Sequence, residues 1–204
     1  MVQSEAELRD LIGSPNELVQ AKIAGRLNEL SAQWIARSPF VCVATCRPDG
    51  GLDVSPRGDP AGFVRVLDER TLLIPERPGN RLADTLTNVL ADARIALLFL
   101  VPGIGDTFRV NGRARLVDDA ALLEPCAIEG KVPQLGILVE VEEAYTQCPK
   151  ALLRSELWNP DKHADPSELP KASEILRAVG APELDVAEYE RERAGRYARR
   201  EGFY

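Results

Sequence analysis

Histidine is almost absent from these 204 residues; the only one is His163. It sits in a polar loop, Asn159-Pro160-Asp161-Lys162-His163-Ala164-Asp165. One histidine excludes a His-rich metal site, and no Ser-His-Asp set can be assembled without it. Long apolar runs are missing as well, since none approaches the ~20 residues needed to cross a bilayer. The opening Met1-Val2-Gln3-Ser4-Glu5 lacks the basic-then-apolar order of a signal peptide, which makes a cytoplasmic location the expectation. Positive charge is in deficit, with 25 Lys and Arg against 32 Asp and Glu for a net charge of −7. That balance argues against a general nucleic-acid binder, which needs a basic surface to displace counterions. The four cysteines, Cys42, Cys46, Cys126 and Cys148, form no Cys-x-x-Cys pair. Cys42 and Cys46 would share a strand face ~13 Å apart, too far for a disulfide. The expectation is reduced structural thiols and no metal. Gly103-Ile104-Gly105 lacks the third glycine and the following helix of a dinucleotide fingerprint. No internal repeat or low-complexity segment is found.

What is present suits a globular domain with an extension: 45% apolar and 28% charged residues. The pattern divides into helices over 1–38, a β-rich body over 39–148 and a helical extension over 149–204. Ser4-x-x-Glu7 has the form of a capping box, with Gly13 as the stop. A second helix is predicted with Ser14 as cap, Pro15 as its first residue and Glu17 as reciprocal partner. Leu18, Ile23, Leu27, Leu30 and Trp34 would form its apolar face, and Ser38-Pro39 its end. Phe40 to Cys46 and Leu52 to Ser55 read as strands about the Asp49-Gly50-Gly51 turn. Phe63 to Leu67 and Thr71 to Ile74 read as a second hairpin. Asn80 to Leu90 switches to helical spacing, with Gly79 or Asn80 as cap. Strands are predicted at Ile95 to Val101, Thr107 to Val117 and Gln134 to Ala144, with a short helix over Asp118 to Cys126. Ser167 to Val179 and Pro182 to Arg200 read as surface helices. So many antiparallel hairpins, with only short helices between, predict a closed or nearly closed barrel.

Chemistry concentrates between Leu52 and Gly112. Ser55-Pro56-Arg57-Gly58-Asp59, Pro75-Glu76-Arg77-Pro78-Gly79-Asn80-Arg81 and Phe108-Arg109-Val110-Asn111-Gly112 follow β-rich segments or lie within them. Strand ends present free backbone N–H groups, and arginine adds planar, permanently charged donors. An acidic chain that binds phosphate must gather positive charge in one place, and Arg57, Arg77 and Arg81 do so. Gly79-Asn80-Arg81 opens a predicted helix, whose unpaired N–H groups and dipole favour an anion. Gly58, without a Cβ, admits a flat ring close to the backbone. Lys150 and Arg154 stand at i, i+4 after Cys148-Pro149, and these like charges repel unless an anion faces them.

These clusters resemble those of the FMN-binding split-barrel flavoproteins related to pyridoxamine 5′-phosphate oxidase, over roughly Phe40 to Trp158. The resemblance implies a mainly β, α+β fold: an antiparallel split β-barrel flanked by N-terminal helices and a C-terminal helical extension. It implies FMN as cofactor, with Ser55, Pro56, Arg57 and Gly58 along the ring and Arg77, Asn80 and Arg81 at the phosphate and ribityl chain. Lys150 is expected at the flavin, and Trp158 with Arg154 is a loose analogue of a C-terminal pair that completes the site in relatives. A homodimer with flavin at the subunit interface is implied, as is an oxidoreductase of unassigned substrate. The chain departs from pyridoxamine phosphate oxidase itself at Gly58-Asp59 and Asn80-Arg81, where that enzyme has basic residues, and at Thr107, where it has glutamine. A vitamin B6 phosphate is therefore not the expected substrate. The competing readings are a non-catalytic flavin sensor or carrier, and the same barrel holding haem or a deazaflavin. Haem is the weaker, because His163 would be its only axial histidine.

Overall fold

A computed structural model describes residues 1–204. Seven strands form one antiparallel sheet: β1 (Phe40–Cys46), β2 (Leu52–Gly58), β3 (Arg65–Asp68), β4 (Thr71–Pro75), β5 (Arg94–Leu100), β6 (Thr107–Val117) and β7 (Gly136–Gln147). Their order is β2-β1-β5-β6-β7-β4-β3. The expected antiparallel split barrel with flanking helices is the architecture found. Eight helices accompany it: α1 (Glu5–Ile12), α2 (Glu17–Ala21), α3 (Glu29–Arg37), α4 (Asp84–Ala91), α5 (Ala120–Leu123), α6 (Lys150–Ser155), α7 (Ala172–Val179) and α8 (Val186–Ala198). No helix is long and apolar enough to cross a membrane.

Strict alternation builds the interior. Val41 and Val43 of β1, Leu97 and Phe99 of β5, Val110 of β6 and Val139 of β7 are fully buried, and Ile35 of α3 joins them in one cluster of 19 side chains. Each such side chain contributes about 1.5–3 kcal/mol by leaving water. Between Asn111 and Gly112 the β6–β7 register shifts. A Cβ on Gly112 would collide with the carbonyl oxygen of Glu140, so only glycine fits there.

Edge strand β2 shows the same alternation with a different result. Asp53, Ser55 and Arg57 point to the core side and are half-buried, while Leu52, Val54, Pro56 and Gly58 face outward. Leu52, Val54 and Pro56 pair with Cys46, Ala44 and Cys42 of β1, which extends an uncharged face across two strands. Pro56 is tolerated because β2 is an edge. Ion pairs, and no backbone ladder, tie the end of β2 to the segment leaving β4. Arg57 Nε lies 3.2 Å from Glu76 Oε2, and Arg77 Nε lies 2.6 Å from Asp59 Oδ2.

Several boundaries differ from expectation. The predicted second helix is two: α2 is capped by Asn16 and not by Ser14, and α3 is capped by Asn28. Between them the main chain bonds to the barrel. Ala24 N–H and C=O pair with Ala144, at 3.2 and 2.7 Å, and Leu27 N–H donates to Glu69 O at 2.7 Å. These bonds outcompete helix continuation through Gly25. The fourth helix begins at Asp84, four residues later than predicted, because Asn80 Oδ1 accepts from Leu82 N–H and folds the loop into a turn instead. β2 runs on through Pro56 to Gly58, and β7 is displaced to Gly136–Gln147 because it pairs with β6 along its whole length. Ser4, by contrast, caps α1 as expected, and Gly13 ends it with φ 75°.

In the C-terminal extension α7 packs on α8, with the fully buried Ser173 hydroxyl donating to Glu190. The chain then turns back, and Lys131 Nζ donates to the main-chain oxygen of Tyr204 at 3.1 Å.

Candidate functional site

A cavity of about 800 Å³ opens where β2, the loop after β4 and the start of α4 meet. That size accommodates a ligand the size of a nucleotide cofactor. Ser55, Pro56, Arg57, Arg77, Asn80 and Arg81, six of the eight residues expected at a cofactor, line it together. Gly58 lines two smaller adjoining cavities with Asp59, Arg77 and Gly79. Lys150 lines none of the three and is exposed on α6, beyond the Gln147 end of β7. Trp158 bonds elsewhere, its indole N–H donating to Ile104 O at 2.9 Å, and His163 is exposed outside the cavity.

The start of α4 is its distinctive wall. Arg81 and Ala83 both hold left-handed backbone, at φ 65° and 58°, a conformation that costs a side-chain-bearing residue about 1–2 kcal/mol. Ala83 has no side chain able to cap, so the first-turn amides that precede Thr87, whose own N–H donates to Ala83 O at 2.9 Å, have no side-chain acceptor. Just inside that uncapped turn, the buried Thr85 hydroxyl has no hydrogen-bond partner, the only such buried side-chain atom in the molecule. A strained loop, open amides and an orphaned hydroxyl at one spot are what an anion would relieve. The helix is held in place from behind, where Asn88 Nδ2 donates to Thr45 Oγ1 of β1 at 3.0 Å in the core.

The charges around the cavity are unequal in freedom. Arg57 is held by Glu76 and by the Pro56 carbonyl, and Arg77 by Asp59 and by Cys126 O at 2.8 Å. Arg81 has no ionic partner, and Lys131 bonds only the Tyr204 main chain. The fixed arginines therefore shape the walls, while Arg81 is available to a ligand. Burial pushes the Glu76 carboxyl up from its usual range, and the adjacent Arg57 offsets only part of this. Asp84 is the second carboxylate on the rim.

Among the lining residues outside the expected set, four bear on the chemistry: Glu76, Thr85, Lys131 and Tyr204. Glu76 stood between Pro75 and Arg77 but looked like a turn residue. Thr85, Lys131 and Tyr204 carry no local sequence signal of a site. Thr85 depends on where α4 begins, and the other two come from distant segments folded against the loop.

HupZ of Group A Streptococcus is similar at 18% identity, over 60% of this chain and 94% of that one, with a TM-score of 0.49. An F420 reductase gives 16% identity, 59% and 98% coverage and a TM-score of 0.44. General Stress Protein 26 of Bacillus anthracis gives 14% identity, 56% and 88% coverage and a TM-score of 0.41. No curated protein matches the chain. Residues 27–148, more than half of the sequence, match the pyridoxamine 5′-phosphate oxidase family, and the chain belongs to it.

Proposed function

We propose that this cavity binds FMN and that the protein is a flavin-dependent oxidoreductase acting as a homodimer. The observation that carries the reading is the uncapped start of α4 with the orphaned Thr85 hydroxyl beside it. The residues fit a phosphate: Thr85 can donate its hydroxyl, the first-turn amides face the same space, and Arg81 supplies an unpaired guanidinium. Ser55, Pro56 and Arg57 of β2 offer an extended edge for the ring, and Arg57, braced by Glu76, has little freedom to collapse into the space. Bound there, FMN would supply two-electron redox chemistry, and the chain supplies binding, orientation and charge.

The outward face of β2 and β1 supports the dimer. Leu52 is 81% exposed and Val54 67% exposed, beside Pro56 and the uncharged Cys42, Ala44 and Cys46. A contiguous apolar sheet face of this kind is an interface feature. Pro56 belongs to this face and also lines the cavity, so a partner seated here would border the flavin site. Lys150 does not line the cavity of its own chain, so any contact it makes with the ligand is made in the neighbouring copy's cavity.

Titration of FMN and FAD by fluorescence tests the cofactor. FMN should bind and FAD should not bind comparably, since the phosphate wall offers one terminal site. Failure of FMN to bind the purified protein would sink the reading. Light scattering should give twice the 22.4 kDa chain mass. Turnover of NAD(P)H with bound flavin separates an oxidoreductase from a flavin sensor or carrier.

A further inference from the structure

We propose that Tyr204, in the segment after α8, is a wall of the cofactor site, so that the C-terminal extension belongs to the binding machinery. The proposal rests on the FMN reading and adds a residue outside the stretch that matches the family, which ends at 148. Tyr204 lines the main cavity together with Ser55, Arg57, Asn80, Arg81 and Thr85. It also lines the adjoining one, between the phosphate loop and the returning chain.

Three independent contacts fix it there. Its ring lies 5.3 Å from the Arg77 guanidinium, the same guanidinium that Asp59 anchors. Its main-chain oxygen accepts from Lys131 Nζ at 3.1 Å, and Lys131 itself lines the cavity. Just before it, Arg200 pairs with Glu129 at 3.4 Å and stands 5.6 Å from the same ring. The aromatic ring is therefore held by two guanidinium groups and docked to two segments of the barrel. An unpinned tail would instead lie free in solvent and line nothing.

The chemistry suits a flat, electron-poor ligand. Loss of solvent, followed by the nearby Asp59 carboxylate, pushes the Tyr204 phenol up from 10.0, so it remains a neutral hydrogen-bond donor at physiological pH. A rigid aromatic whose neutral hydroxyl is turned to Asp59 offers stacking area without adding negative charge beside a phosphate. It also keeps Lys131 at the cavity by accepting its bond.

FMN affinity and emission of bound FMN, measured for the parent, Tyr204→Ala, Tyr204→Phe and Arg81→Ala, test this. Contact with a tyrosine ring quenches flavin emission, which a purely structural tail would not alter. Tyr204→Ala should weaken FMN about tenfold and brighten the bound flavin, while Tyr204→Phe keeps parental affinity and quenching. Equal affinity and emission in Tyr204→Ala, with Arg81→Ala still impaired, would overturn the role of Tyr204 and leave the FMN site standing. A parent protein that binds no FMN overturns both. Circular dichroism of the unliganded Tyr204→Ala protein should match the parent, because the tail adds nothing to the 19-residue core.

Discussion

Helices α3 and α4 begin in opposite ways. At α3, Asn28 accepts from Ser31 N–H at 2.9 Å, Ser31 Oγ accepts from Asn28 N–H at 3.3 Å, and the turn is closed on itself. At α4 the cap position is a left-handed alanine with nothing to give, and the hydroxyl behind it has no partner. Both helices pack against the barrel, so packing does not explain the difference. A helix that only supports the fold satisfies its own first turn. One that faces a cavity leaves the turn for whatever enters.

The largest way to break this comparison is to free the loop that holds α4's start open. Arg77→Met strands the Asp59 carboxylate, which is only 4% exposed, and should cost about 3–5 kcal/mol in urea unfolding. A loss below about 1 kcal/mol would mean that this pair does not brace the loop. Next comes Arg81→Ala, which removes the one unpaired guanidinium lining the cavity. It should weaken FMN by about 1.5–3 kcal/mol with unfolding unchanged, and undiminished affinity would put the phosphate elsewhere. The two caps should then respond with opposite signs. Asn28→Ala is expected to destabilise the fold by about 1 kcal/mol, whereas Ala83→Gly should stabilise it by about 0.5–1 kcal/mol by relieving the left-handed backbone. Matching signs in thermal melts would erase the distinction.

The smallest effect is on pH dependence. The folded-state carboxyl of Glu76 is raised above 4.5, so the folded protein holds this proton more tightly than the unfolded chain does. Its contribution is therefore lost as pH rises from 4.5 through the raised value. Asp92, held by Arg94 down at about 2 from 3.8, has the opposite sign, and its contribution is lost as pH falls through that interval. Glu76→Gln should remove the decline above pH 4.5 and leave the acid limb intact. Parallel stability curves for variant and parent would refute the assignment.

The barrel was legible because periodicity is local. Phe40–Cys46 and Thr107–Val117 stand where alternation and β-branched residues put them. The split between α2 and α3 was not legible, since Ala24 and Leu27 leave the helix to bond residues over 100 and over 40 positions away. Of the site, the arginine clusters were legible as clusters but not as pairs. Nothing in Arg57 or Arg77 alone announces that Glu76 and Asp59 occupy them, which leaves Arg81 as the free cation. Thr85 was hidden for a different reason. Its meaning depends on a helix start that Asn80 delays by folding its own loop.

The free margin of β2 has one more consequence. An open strand beside an uncharged face is the usual template on which further copies of a chain stack by backbone pairing. Pro56 lies in the middle of that margin and has no N–H, so a growing ladder meets a missing rung there. The protein can leave this edge unpaired and its outer face uncharged without seeding a fibre.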